Sequence, residues 1–127
     1  MYGDSGLKND FGGHHNYHTS NLYAYIANAW GFCCISGADD VFADNSVVLR
    51  DDNGYNSNCD LPPGTDGMQV MRNEVFVPSG RINGNGKVCR MTFEKWQEQG
   101  NDPGTTIHAI PSDDNFIKMA RALLDNN

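Results

Sequence analysis

At 127 residues the chain is long enough for one domain with a buried core, and 39% apolar content with 14 glycines describes a folded but turn-rich protein. A net charge of -7 and a pI near 4.7 argue against nucleic acid as a partner, because phosphates need clustered Lys and Arg. No apolar run approaches the length of a membrane span.

Residues 1–13 combine Gly3, Gly6, Gly12 and Gly13 with Asp4, Asn9 and Asp10, a turn composition. Met1 to Ser5 have neither the basic start nor the apolar stretch of a signal peptide, so the chain is expected to be a mature form or a fragment. A polar cluster follows: Asp10, His14, His15 and His18. On an extended strand His14 and His18 share one face and His15 the other, so two imidazoles could meet a metal with Asp10 or Asp40 nearby. The competing reading puts His18 in a stack of rings, with His14 and His15 on the surface.

His18-Thr-Ser-Asn21-Leu-Tyr23-Ala-Tyr25 returns as Phe42-Ala-Asp-Asn45-Ser-Val47-Val-Leu49 and as Val70-Met-Arg-Asn73-Glu-Val75-Phe-Val77. Each segment has a ring or branched side chain three before the Asn and large apolar residues two and four after it. Alternation of period two signals strands, and Asn-to-Asn spacings of 24 and 28 signal stacked repeats. Val, Ile, Tyr and Phe rather than repeated leucines favour a β-solenoid over a leucine-rich repeat. Asn21, Asn45 and Asn73 are expected to form a structural ladder, with Tyr23 and Tyr25 in the core opposite Val47 and Leu49.

Trp30 to Ile35 is predicted as a buried strand after a bend at Gly31. Asp39-Asp40, Asp44 and Asp51-Asp52 form an acidic cluster, and carboxylate pairs can act as acid and base on a glycoside or hold calcium. The weak metal candidates are therefore Asp39, Asp40, Asp10 and His14, with calcium as the ion. The polar segment after Arg50 holds a tight turn at Asp52-Asn53-Gly54 and a second at Pro62-Pro63-Gly64. Tyr17, on the first strand, and Tyr55, on this polar loop, are the rings best placed to stack on a sugar, with His14 and His15 beside them as candidate carbohydrate-binding residues.

Cys33, Cys34, Cys59 and Cys89 include no Cys-x-x-Cys pair. An even count in an acidic, Gly/Asn-rich domain points to two disulfides and an oxidising, extracellular setting. Adjacent Cys33 and Cys34 are poorly placed to bond each other, and a bridge from one of them to Cys59 is expected. Lys87 to Met91 is predicted as the last short strand. Thr92 caps a helix from Phe93 to Gln99 ended by Gly100, and Ser112 caps a second, with Asp113 and Asp114 in its first turn. Phe116, Ile117, Ala120, Leu123 and Leu124 give that helix an apolar stripe that must lie on something.

The Asn-x-apolar-x-apolar segments, followed by Thr92-Phe-Glu-Lys-Trp96-Gln97-Glu-Gln-Gly100-Asn-Asp102-Pro-Gly-Thr105, resemble the C-terminal end of the secreted right-handed parallel β-helix (pectate-lyase-like) superfamily. The resemblance spans about residues 10 to 125 and implies an all-β right-handed parallel β-helix of about three coils over 1–91, closed by a C-terminal cap with two short α-helices over 92–127. It also implies a secreted domain that interacts with polysaccharide. The superfamily's hydrolase and epimerase motifs are missing apart from Asp39-Asp40, so no complete active site is recognisable. The alternatives are a structural or assembly module of an extracellular complex or filament, and a fragment of a polysaccharide lyase or glycoside hydrolase. Only 13 turn-rich residues precede the first repeat, so further β-helix coils or another protein chain are expected at the N-terminal end.

Overall fold

The computed structural model describes residues 5–9, 15–32, 40–55, 68–82, 88 and 91–126; side chains of 5–9, 31, 32 and 68 are not part of that description. The described residues form nine short strands and two helices: β1 (Ser5–Asn9), β2 (Tyr17–Thr19), β3 (Leu22–Ile26), β4 (Asn28–Phe32), β5 (Asp40–Ala43), β6 (Ser46–Leu49), β7 (Met68–Met71), β8 (Glu74–Val77), α1 (Phe93–Glu98), β9 (Thr106–Ala109) and α2 (Asp113–Asp125). They form three small sheets in the orders β1-β4, β2-β5-β7 and β3-β6-β8-β9, and every strand pairing is parallel.

The expected class, an all-β right-handed parallel β-helix, is corrected by this arrangement. The described residues make a mixed α/β domain of separate two-, three- and four-stranded sheets, and its longest element is the 13-residue helix α2. The repeat pattern was a sound guide to strand pairing, which depends on side-chain alternation. It carried no information on how far each sheet extends, since the strands are only three to five residues long.

Register follows the repeats. His18 lies beside Phe42 and Phe42 beside Val70, while Tyr23 lies beside Val47 and Val47 beside Val75. His18 thus takes the ring position of its row, with Phe42 and Val70 buried below it. Tyr25 departs from expectation. A bulge between Tyr23 and Ile26 puts Ile26, not Tyr25, opposite Leu49, and Tyr25 adopts φ +54° with 39% of its surface exposed. The displaced ring instead meets Phe116 of α2, centroids 5.8 Å apart.

The core is aromatic at its centre: Trp30 stacks on Trp96 and meets Tyr55 edge-on, and Tyr55 meets Phe93 edge-on. All four are buried, each ring burying roughly 150–250 Å² on folding. Backbone fit matters here as much as side-chain volume. Ala29 N donates to Gly54 O at 2.8 Å, and a Cβ on Gly54 would lie 2.1 Å from the Ala27 carbonyl oxygen, so only glycine fits the turn that places Tyr55. Gly31 lies inside β4 rather than at a bend before it, because the strand begins at Asn28.

Val88 and Met91 form an isolated antiparallel bridge, and the other residues of the predicted strand Lys87 to Met91 lie outside the described residues. The last strand is β9, which adds to β8 from 32 residues downstream. Thr92 and Ser112 cap the helices as predicted, their hydroxyls accepting from Lys95 N and Asn115 N. No residue of α2 is fully buried, and Ile117 and Leu124 are 46% and 76% exposed. Among the described residues no helix is long and apolar enough to cross a membrane.

Candidate functional site

The asparagines make a hydrogen-bonded spine. Asn21 N and Nδ2 donate to Asn45 Oδ1 at 3.0 and 3.2 Å, and Asn45 N and Nδ2 donate to Asn73 Oδ1 at 3.0 and 3.1 Å. The chain then changes chemistry: Asn73 N donates to Thr105 Oγ1 at 3.0 Å. Each rung follows a left-handed residue, Ser20, Asp44, Arg72 or Gly104, with φ between +51° and +76°. The residue before each Asn takes the left-handed backbone, and the Asn side chain is left free to bond. Asp44 and Arg72 stack in this column as an exposed ion pair, N to O 2.8 Å at both contacts, which holds the Asp44 carboxyl below its usual range.

A second, shorter column repeats the device. His15 is left-handed at φ +58°, and Asn16 N and Nδ2 donate to Asp40 Oδ1 at 2.7 and 3.0 Å. This left-handed turn precedes the strand that begins at Tyr17, and the expected pairing of His14 with His18 rests on a residue outside the described ones. Asp40, a candidate calcium ligand, is buried and committed to Asn16. Asp10, Asp39 and His14, the other members of that set, lie outside the described residues, as do Cys33, Cys34, Cys59 and Cys89. Among the described residues no group of three or more His, Cys, Asp or Glu side chains could hold a metal ion.

Beside the spine, His18 Nδ1 and the Tyr23 hydroxyl are 2.7 Å apart. Burial lowers the His18 pKa, with Asp40 opposing, and raises that of Tyr23, so burial favours the neutral form of both partners in this hydrogen bond.

At the other end Asp102 gathers three segments. Its carboxylate accepts from the Tyr55 and Thr105 hydroxyls, while Gln97 Nε2 donates to the Asp102 and Thr105 carbonyls at 3.1 and 3.0 Å. Burial raises the Asp102 pKa against the pull of the two hydroxyls, and it raises the Tyr55 pKa well above its ordinary value. Sequence reasoning missed this group. The available signal was Gly104-Thr105-Thr-Ile107-His-Ala109, a fourth repeat with Thr in place of Asn and Gly in the left-handed slot.

The two candidate sugar-stacking rings fare differently. Tyr55 is fully buried between Trp30 and Phe93 and has no face to offer a ligand; its polar sequence neighbours concealed a core residue. Tyr17 is 62% exposed on the outward face of the three-stranded sheet, in one row with Val41 and Gln69. With roughly 4.8 Å between strands, Gln69 lies about 10 Å from Tyr17 along the row. There the face dips into an apolar-walled hollow of about 230 Å³ lined by Gln69, Met71, Asn101 and Pro103 among others. His15 is exposed at the mouth of β2. No family model matches the chain, and neither a curated protein nor a solved structure does, so the β-helix resemblance has no relative behind it.

Proposed function

We propose that the protein is a secreted module that binds a glycan on the outward face of the β2-β5-β7 sheet, with Tyr17 as the stacking ring. The observation carrying this reading is the 62% exposure of that ring on a sheet face, at the head of a row that leads to an amide and an apolar hollow. Sugars present C–H faces to an aromatic ring and hydroxyls to amides, and Tyr17, Gln69 and Asn101 supply both kinds of contact. A charge of -7 favours a neutral chain over a uronate unless calcium bridges the two.

Titration of labelled protein with a neutral hexose oligomer, and with a uronate oligomer with and without calcium, tests the proposal. The expected result is saturable NMR shifts at Tyr17 and Gln69, weakened about tenfold in Tyr17→Ala. Silence at both residues with all three additions would sink it.

A second reading, an assembly module, is favoured by the exposed Ile117 and Leu124 of α2 and by the N-terminal end. Neither β2 nor β3 has a strand on its outer side among the described residues, and Asn21 Oδ1 receives no hydrogen bond there. Concentration-dependent mass in light scattering, abolished by Leu124→Lys, would support that reading over the first.

A further inference from the structure

At the opposite end of the sheet from Asn21, β9 is the outer strand among the described residues. Thr106 N donates to Asn73 O at 2.9 Å and Ile110 N to Val77 O at 3.1 Å, so the even-numbered residues of this stretch turn their backbone groups toward β8. In a parallel ladder the alternate residues face the other way, which leaves the N–H and C=O of Ile107 and Ala109 on the free edge. A groove of about 700 Å³ runs along that edge. Thr105 and the strand residues Thr106, Ile107 and His108 line it, and three consecutive strand residues, whose side chains alternate in direction, border one groove along their backbone. Gly80, Arg81 and Ile82 also line it, together with Phe93, Glu94 and Gln97 of α1.

The groove also has a charge preference. The Arg81 guanidinium has no ion-pair partner among the described residues. His108, with Nε2 2.8 Å from Thr106 Oγ1 and its ring against Phe76 at 5.3 Å, is held on the same strand. Glu94 is the counterweight on the helix side and disfavours a second carboxylate there. Gly80 stands close to Ala109 N, since a Cβ on it would lie 3.2 Å away, so Ile107 is the accessible backbone anchor.

We propose that the free edge of β9 is a strand-addition site for a short extended peptide that pairs with Ile107 and places one carboxylate side chain against Arg81. An edge strand offers an unpaired row of donors and acceptors that an extended backbone matches, and flanking side chains then select the sequence. This inference is independent of the glycan reading, which concerns a different sheet.

The test uses the whole chain and three blocked five-residue probes: alternating Val and Asp, alternating Val and Lys, and the Val/Asp peptide with N-methylated backbone amides. With the Val/Asp probe at millimolar concentration, the Ile107 amide should shift and gain exchange protection. Arg81→Ala should weaken that binding about tenfold, and Arg81→Lys should restore part of it. The N-methylated peptide should not bind, and the Val/Lys peptide should bind worse. Equal binding of all three probes, or none at Ile107, would overturn the proposal. So would Ile107 protection that rises with protein concentration in the absence of peptide, which would assign the groove to a second copy.

Discussion

The two ends of the asparagine spine are finished in opposite ways. At the N-terminal end Asn21 is exposed and its side-chain oxygen accepts nothing among the described residues, although each Asn below accepts twice. At the C-terminal end the amide gives way to a hydroxyl. Thr105 Oγ1 accepts from Asn73 N and donates a hydrogen bond to Asp102, which also accepts from Tyr55. An amide rung both accepts from above and donates below, so a column of amides has no natural stop. A hydroxyl tied to a buried carboxylate supplies one. The difference separates an end of the spine where a further amide could bond from one where the amide column stops.

Substitutions along the spine should grade accordingly. Asn73→Ala strands buried donors on Asn45 and should cost about 3 kcal/mol in urea unfolding. Thr105→Val removes an acceptor from Asn73 N and a donor from Asp102, and a loss of about 2 kcal/mol is expected in the same assay. Gly104→Ala should cost about 1 kcal/mol, since it forces a side chain into φ +76° within 3.1 Å of Arg72 Cγ. Asn21→Ala, at the open end, should cost only about 0.5 kcal/mol. Equal losses at Asn21 and Asn73 would erase the distinction between the ends.

The ends should also answer pH with opposite sign. The Asp102 pKa is raised by burial, so its contribution is fully present below the unfolded carboxylate value and is lost as pH rises through the higher folded value. His18 has its pKa lowered, so its contribution is present above the unfolded imidazole value and is lost as pH falls through the folded one. Chemical denaturation across the acid range should show Asp102→Asn flattening the first dependence and His18→Phe the second. A single slope removed by neither variant would contradict both assignments.

What the sequence revealed, and what it hid, follows from which physical pattern each residue obeys. Asn21, Asn45 and Asn73 were legible because identical side chains at near-constant spacing must share a structural role. Tyr25 was misplaced because a bulge changes register without leaving a mark in the alternation. Thr105 escaped because the last rung keeps the geometry and changes the functional group. Tyr55 was judged by polar neighbours, yet a buried phenol needs only one partner, and Asp102 lies 47 residues away. Tyr17 was legible as an outward ring because it precedes the inward His18.

The spine also sets terms for how the chain folds. Its bonds join residues 24, 28 and 32 positions apart. Loop-closure entropy grows only as the logarithm of loop length, so the longest and shortest of these loops differ by about 0.3 kcal/mol. Chain entropy therefore selects no rung to form first, and the choice falls to contact energy. The Trp30, Tyr55, Phe93 and Trp96 cluster draws on residues 30 to 96 and joins four buried rings by direct contact. A transition state centred there would give mutations at Trp30 and Tyr55 their main effect on the folding rate, while Asn21 would act on unfolding alone.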